Sequence, residues 1–282
     1  MNSRCWSIAA IASAALASGC DWGGASFSVG GSVSRNNGTT TVSVDGGPVV
    51  DGSGTTAKET RPARSFRNVA AHQGIQVTIA EGAGDSVTVE ADDNLLRLVE
   101  TSVENDTLQV RIIGNLTTDN PIQVSASATD LAELTATSSA SITAKRARDA
   151  RVRVRAESSG QVSIDEADGD QLELSASSSG QVAVAKAAGK SLRISVDSSG
   201  QVTAAGEVDE QQVTANSSGQ YNGEKLASST ASVECNSAGQ ATVQASDEVT
   251  GAATSAGQVR YVGQPARVSI ETHSAGSVSK AG

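Results

Sequence analysis

The chain has 282 residues, a net charge of −10, 38% hydrophobic residues and only two each of Trp, Tyr and Phe. So acidic a chain is poorly suited to nucleic acid, where phosphate contacts dominate affinity, and four prolines with no Gly-X-Y period exclude a collagen helix. The scarcity of rings argues against a core built on aromatic bulk, and recurring alternation of Val, Leu and Ile argues against full disorder, which leaves a fold that buries small side chains repeatedly.

Residues 1–19 read as an export signal. Arg4 supplies one positive charge, and an apolar run from Ile8 to Ala17 follows that is too short to span a bilayer. The run ends in Leu16-Ala17-Ser18-Gly19-Cys20, which resembles the bacterial lipobox, so Cys20 is the expected lipidation site. A plain secretory signal cleaved nearby is the alternative. Asp21 follows Cys20; by resemblance to enterobacterial sorting it favours the inner membrane, but the choice between inner and outer membrane stays open.

The other cysteines are Cys5 and Cys235, too few for a disulfide framework. With no Cys-X-X-Cys and with His72 far from His273, no metal site and no cofactor are expected. Residues 20–60 are mostly Gly, Ser, Thr and Asn and read as a flexible, lipid-anchored linker, with a short strand conceivable at Thr41 to Val44. A flexible tether of about 40 residues has an r.m.s. span of roughly 35 Å.

A folded domain is expected over residues 61–282. Ile75/Val77/Ile79, Val87/Val89 and Leu108/Val110/Ile112 alternate as half-buried strands do, and Asn105-Asp106 suits a turn before the third. From about residue 131 the chain repeats itself. Ser138-Ser139-Ala140 is followed by Ser-Ser-Gly at 158–160, 178–180, 198–200 and 217–219, then by Ser-Ala-Gly at 237–239, 255–257 and 274–276. The steps are 20, 20, 20, 19, 20, 18 and 19 residues, and a fixed period of this length marks a solenoid.

Within each repeat, Val152/Val154/Ala156 and Leu172/Leu174/Ala176 precede the corner, and Val162/Ile164 and Val182/Val184 follow it. Strict alternation buries one face of each strand. Twenty residues at about 3.3 Å make a circuit of roughly 66 Å, which suits one coil of a right-handed parallel β-helix, an all-β solenoid with ~20-residue coils. A meander of hairpins is the rival topology. It would place equivalent residues two strands apart and lacks an Asn-Gly turn at each end.

The repeat positions carry the candidate site residues. Ser158, Ser178, Ser198, Ser217 and Ser237 should point inward at the coil corner as a hydrogen-bonded structural ladder; a catalytic serine present in every copy makes no sense. The corner glycine should permit a bend that a Cβ would obstruct. Gln161, Gln181, Gln201, Gln220, Gln240 and Gln258 should line one outer edge, either as an amide ladder or as a binding stripe. Cys235 shares its slot with Ala156, Ala176, Val196 and Ala215 and reads as core. Lys145, Arg146, Arg148, Arg151, Arg153 and Arg155 form a basic run. Stacking of Arg153, Glu173 and Arg193 as alternating charges explains it better than nucleic-acid binding does.

Phe66-Arg67-Asn68-Val69, Gly74 to Ile79, Val87 to Leu96 and Leu108-Gln109-Val110, with the Ser-Gly repeats and Val259 to Pro265, resemble the bacterial head GIN domain family of auto-transporter adhesins. The resemblance covers roughly Ser65 to Gly282. It implies a β-solenoid on exported, often lipid-anchored proteins and brings no catalytic residues. The expected function is therefore a non-enzymatic envelope lipoprotein that binds or adheres. It would be anchored to a bacterial membrane, facing the periplasm or the cell surface, with a glycan or envelope protein as partner; its oligomeric state is open. The alternative is a polysaccharide-active lyase or hydrolase. Its acids would come from Asp165, Glu166, Asp168 and Asp170, but only Phe66, Tyr221 and Tyr261 are available as sugar-stacking rings in the folded region.

Overall fold

A computed structural model describes residues 32–36, 38–84 and 86–281; the signal segment and Cys20 lie outside them. The described chain is all-β apart from one 3-10 turn at Leu96–Leu98 and forms a β-solenoid of about 7 turns. Among the described residues no helix is long and apolar enough to cross a membrane.

Coil stacks on coil through parallel pairing. Gln161 pairs with Gln181, Val162 with Val182 and Ile164 with Val184, while Leu172 pairs with Leu192 and Ala176 with Val196. Parallel neighbours 20 residues apart rule out the hairpin meander, whose strands would alternate in direction. Each coil is three straight runs rather than two. After Ile164 two successive residues, Asp165 and Glu166, face outward before Ala167 turns in again. That slip of the two-residue period makes a corner, and the pairing skips residue 165. A second corner lies at Gly169-Asp170, and the third is the Ser-Ser-Gly motif.

The Ser-Ser-Gly corner corrects two expectations. Ser158 and Ser159 both take left-handed backbone, with φ of 50° and 65°, and the same pair recurs down to Ser274 and Ala275 at 49° and 66°. Two left-handed residues in a row break the alternation, so Ser158, Ser178, Ser198, Ser217 and Ser237 are exposed instead of inward. Their ladder is one of main chain. Ser159 N donates to Ser178 O at 3.0 Å, Ser179 N to Ser198 O at 3.2 Å, and Ser218 N to Ser237 O at 3.2 Å. Stacked polar side chains occur one residue earlier, where Asn236 Nδ2 donates to Asn216 Oδ1 at 3.1 Å and Thr254 Oγ1 donates to Asn236 Oδ1.

The corner glycine, in turn, does not make the bend. None of Gly160, Gly180, Gly200, Gly219, Gly239, Gly257 and Gly276 has positive φ, but a Cβ on each would fall 1.9–2.4 Å from a main-chain carbonyl oxygen of the preceding coil. The glycines let neighbouring coils approach. The bend belongs to the two residues before them.

Residues 32–60, read above as a flexible linker, are built into the fold. The strands Ser32–Asn36, Thr39–Ser43 and Val49–Asp51 form a four-stranded sheet with Asn115–Thr118. Thr56–Pro62 pairs antiparallel with Ser86–Asp92. Their Thr-rich polarity fits a layer with one face in water, and the few apolar residues do the anchoring: Val42 is buried together with Leu116.

Thr107–Ile112 pairs in parallel with Asn68–Ala71, and Gln123–Ala128 with Gln76–Glu81, so the first coil is covered by strands that depart from the 20-residue repeat. Asn105 and Asp106, with φ of 48° and 59°, close the hairpin from Val99–Glu104 to Thr107–Ile112, as their sequence suggests. The core is one continuous column of Val, Leu, Ile and Ala.

Candidate functional site

The run after each Ser-Ser-Gly corner presents the glutamines. Gln161, Gln181, Gln201, Gln220, Gln240 and Gln258 pair in register coil by coil and are all exposed. The residue after each, Val162, Val182, Val202, Tyr221, Ala241 or Val259, is buried beneath. Side chains on adjacent parallel strands lie about 4.8 Å apart, so the amides form one straight polar row. Among the described residues no side-chain hydrogen bond joins one of these glutamines to the next, so the amide groups face outward with their donors and acceptors available.

A second outward row runs beside the first because alternation returns to the same face two residues later. Thr203, Asn222, Thr242 and Arg260 belong to it. With Gln201, Gln220, Gln240 and Gln258 they line a shallow groove of about 290 Å³. Arg260 carries the only charge in its lining. This second row could have been found from the sequence by counting two residues on from each glutamine.

Beneath the groove lies a polar cluster that alternation alone does not reveal. Gln211 occupies the core slot of Leu192 and Ala231 and is 2% exposed. Its Nε2 donates to Ser228 Oγ and to Gln244 O, both at 2.9 Å, and Tyr221 Oη donates to its Oε1 at 3.1 Å. Burial pushes the Tyr221 phenol well above its ordinary value, so it remains a neutral donor. Cys235 is buried in the expected core slot, and burial pushes its thiol up to about 12. A thiol so rarely ionised is a poor nucleophile.

The charged rows pair between coils. Lys145 Nζ lies 2.8 Å from Asp165, Arg146 Nη2 2.6 Å from Glu166, Arg148 Nε 3.7 Å from Asp168, and Arg153 Nε 3.3 Å from Glu173. Arg153, Glu173 and Arg193 stack in register as expected, while the Arg193 Nε hydrogen bond goes to Gln212 Oε1 at 3.1 Å. These exposed pairs add little stability in water. They do bear on chemistry. The hydrogen bond from Arg146, with the Lys186 charge, holds Glu166 below the usual carboxylate range, whereas a general acid needs its proton held more tightly. Asp170 likewise sits 2.8 Å from Lys190.

One titrating group sits at the first corner. His72 is half-buried, and its Nδ1 is 2.7 Å from Thr137 Oγ1. Burial lowers its pKa, the Gln109 hydrogen bond opposes this, and the Arg111 charge lowers it further. The unfolded chain therefore binds that proton more tightly than the folded one. Stability should be complete above the unfolded imidazole value of about 6.5 and should fall as pH drops through the lower folded value. His72→Gln is expected to flatten the urea midpoint between about pH 7 and pH 5; an unaltered slope would refute the assignment.

The family profile described as "Putative auto-transporter adhesin, head GIN domain" matches residues 65–265. Among solved structures, a "putative adhesin" from Parabacteroides merdae is 18% identical, with a TM-score of 0.75, over 83% of this chain and 99% of that one. A "putative adhesin" from Parabacteroides distasonis is 19% identical, with a TM-score of 0.75, over 83% and 100%. A "putative lipid binding protein" from the same species is 17% identical, with a TM-score of 0.68, over 83% and 100%. At these identities the likeness shows a shared fold. Comparison with curated proteins finds no match.

Proposed function

We propose, since this chain belongs to the head GIN domain family, that it is a non-enzymatic binding module of the bacterial cell envelope and meets its ligand with the glutamine face. The observation that carries the reading is the row of six exposed glutamines in register, with amides unpaired to one another, beside a groove of further polar side chains. A regular array of amides and hydroxyls suits a polymer that itself repeats hydroxyl and amide groups, such as an envelope glycan. Each amide can both donate and accept, and many weak contacts along one line add up through multivalency. Attachment to the membrane through Cys20 completes the proposal; it rests on the Leu16 to Cys20 segment. The naming of relatives as adhesins and as a lipid binding protein supports a binding role over a catalytic one.

The test is a screen of immobilised envelope polysaccharides and glycans with wild type and a variant carrying Gln201→Ala, Gln220→Ala, Gln240→Ala and Gln258→Ala. Binding by wild type should weaken at least about tenfold in the variant, the loss of a few hydrogen bonds of about 1 kcal/mol each, with the melting temperature little changed. Undiminished binding would assign the glutamines a structural role. Release of soluble products from any polysaccharide would favour the enzyme reading instead.

A further inference from the structure

The two ends of the solenoid differ. At the N-terminal end, Thr107–Ile112 and Gln123–Ala128 cover the first coil, and the two outer strands there carry residues that discourage further pairing: Lys58, Glu59, Arg61 and Pro62 on Thr56–Pro62, and Glu100 and Glu104 on Val99–Glu104. At the other end the last coil consists of Arg267–Thr272 and Ser277–Lys280. Each pairs only with the coil before it among the described residues. Arg267 N donates to Asp247 O and His273 N donates to Ala253 O, so the odd-numbered residues of this strand face the body. Strand geometry then turns the N–H and C=O of Val268, Ile270 and Thr272 to the open edge. The apolar side chains are incompletely covered as well. Val268 is 40% exposed, and Ile270 sits over Gly251, which has no side chain.

This edge is self-complementary. With Ser269 set opposite Ser269 of a second copy in antiparallel register, Val268 faces Ile270 of that copy and Arg267 faces its Glu271. The same pairs repeat on the other side of the twofold axis. Val268 and Ile270 are the residues whose main-chain groups point outward, so they form the hydrogen-bonded pairs of an antiparallel ladder. Arg267 and Glu271 fall on the closer, non-hydrogen-bonded positions, on the solvent face of the sheet. Their side chains are 74% and 80% exposed; Arg267 Nη1 lies 3.2 Å from Glu248 Oε1 of the coil before it, a solvent-exposed pair that can exchange for Glu271 of a second copy, and Glu271 lies 3.6 Å from His273 Nε2. The strand contains no proline and no inward-pointing charge, the usual devices against such pairing.

We propose that the Arg267–Thr272 edge is a self-association surface through which two copies join end to end as a closed twofold dimer. Such an interface uses the same patch twice and therefore stops at two. The glutamine face lies on the sides of the column, so this pairing does not depend on what that face binds.

Disulfide trapping on the full chain in detergent tests the proposal. Ser269→Cys places two thiols across the twofold axis at a spacing within disulfide range. Under mild oxidation more than about half of this variant should run as a covalent dimer. Ser232→Cys, also exposed on the same outward row two coils back, should give several-fold less, and wild type sets the background from the native cysteines. Adding Glu271→Arg to Ser269→Cys should cut the dimer at least about fivefold, because Arg267 then meets arginine twice, and adding Arg267→Glu as well should restore it. Trapping no better than Ser232→Cys, indifference to Glu271→Arg, or a ladder of higher oligomers would overturn the proposal.

Discussion

Gly180→Ala is expected to destabilise the domain by about 3 kcal/mol, a large effect for one methyl group. A Cβ at this position would lie 2.1 Å from Ala156 O and 2.5 Å from Ala156 C. Both atoms are main chain in the neighbouring coil, so relief requires the two coils to separate and weakens the parallel ladder on both sides of the corner. Conformational preference plays no part, because Gly180 has no positive φ. The rule begins with Gly160: at the two earlier corners the equivalent slot is filled by Ile75, in the corner His72 to Ile75, and by Ala140. Gly46→Ala is the control, since a Cβ there meets nothing within 4 Å, and it should alter stability by less than about 0.5 kcal/mol. Urea midpoints of the two variants decide the matter; equal midpoints would mean that the coils yield easily.

Gln211→Leu is expected to cost about 2 kcal/mol, although it gives the core slot the residue type found at Leu172 and Leu192. Leucine would leave the Tyr221 hydroxyl without its acceptor while the ring stays 3% exposed. A buried donor left unmet costs more than the hydrogen bond itself contributes in net terms. Ser228 Oγ retains Gln244 O at 2.8 Å, so the loss concentrates on the tyrosine. Tyr221→Phe combined with Gln211→Leu removes both members of the pair, and most of the stability should return. A double variant as unstable as the sum of the two singles would show that the cluster works through packing rather than through hydrogen bonding.

The column of the solenoid is legible in the chain because the core residues recur at one period with one alternation. Val152/Val154, Leu172/Leu174 and Leu192/Ile194 stack as that alternation requires. Cys235 could be placed in the core for the same reason, and the six glutamines on an outer edge. The corner serines could not be oriented this way. Alternation assumes extended backbone, and two left-handed residues turn Ser158 and its equivalents outward. The first corner was also hidden, because His72-Gln73-Gly74-Ile75 shares the geometry of Ser-Ser-Gly without its composition: Gln73 and Gly74 have φ of 59° and 74°. The Thr- and Ser-rich stretch before residue 60 carries too few apolar residues to signal strands, and its order comes from partners far along the chain such as Asn115–Thr118.

By itself the sequence determined the period, the inward and outward sets on each straight run and the scarcity of rings. A repeated pattern of side chains needs only the two-residue periodicity of a strand to be read. The tertiary structure alone decided which way the corner serines point, why glycine follows them, how the first coil is covered and that Arg267–Thr272 has no outer strand partner among the described residues. Those features depend on contacts between coils and on backbone conformations at the bends, and neither leaves a period in the chain.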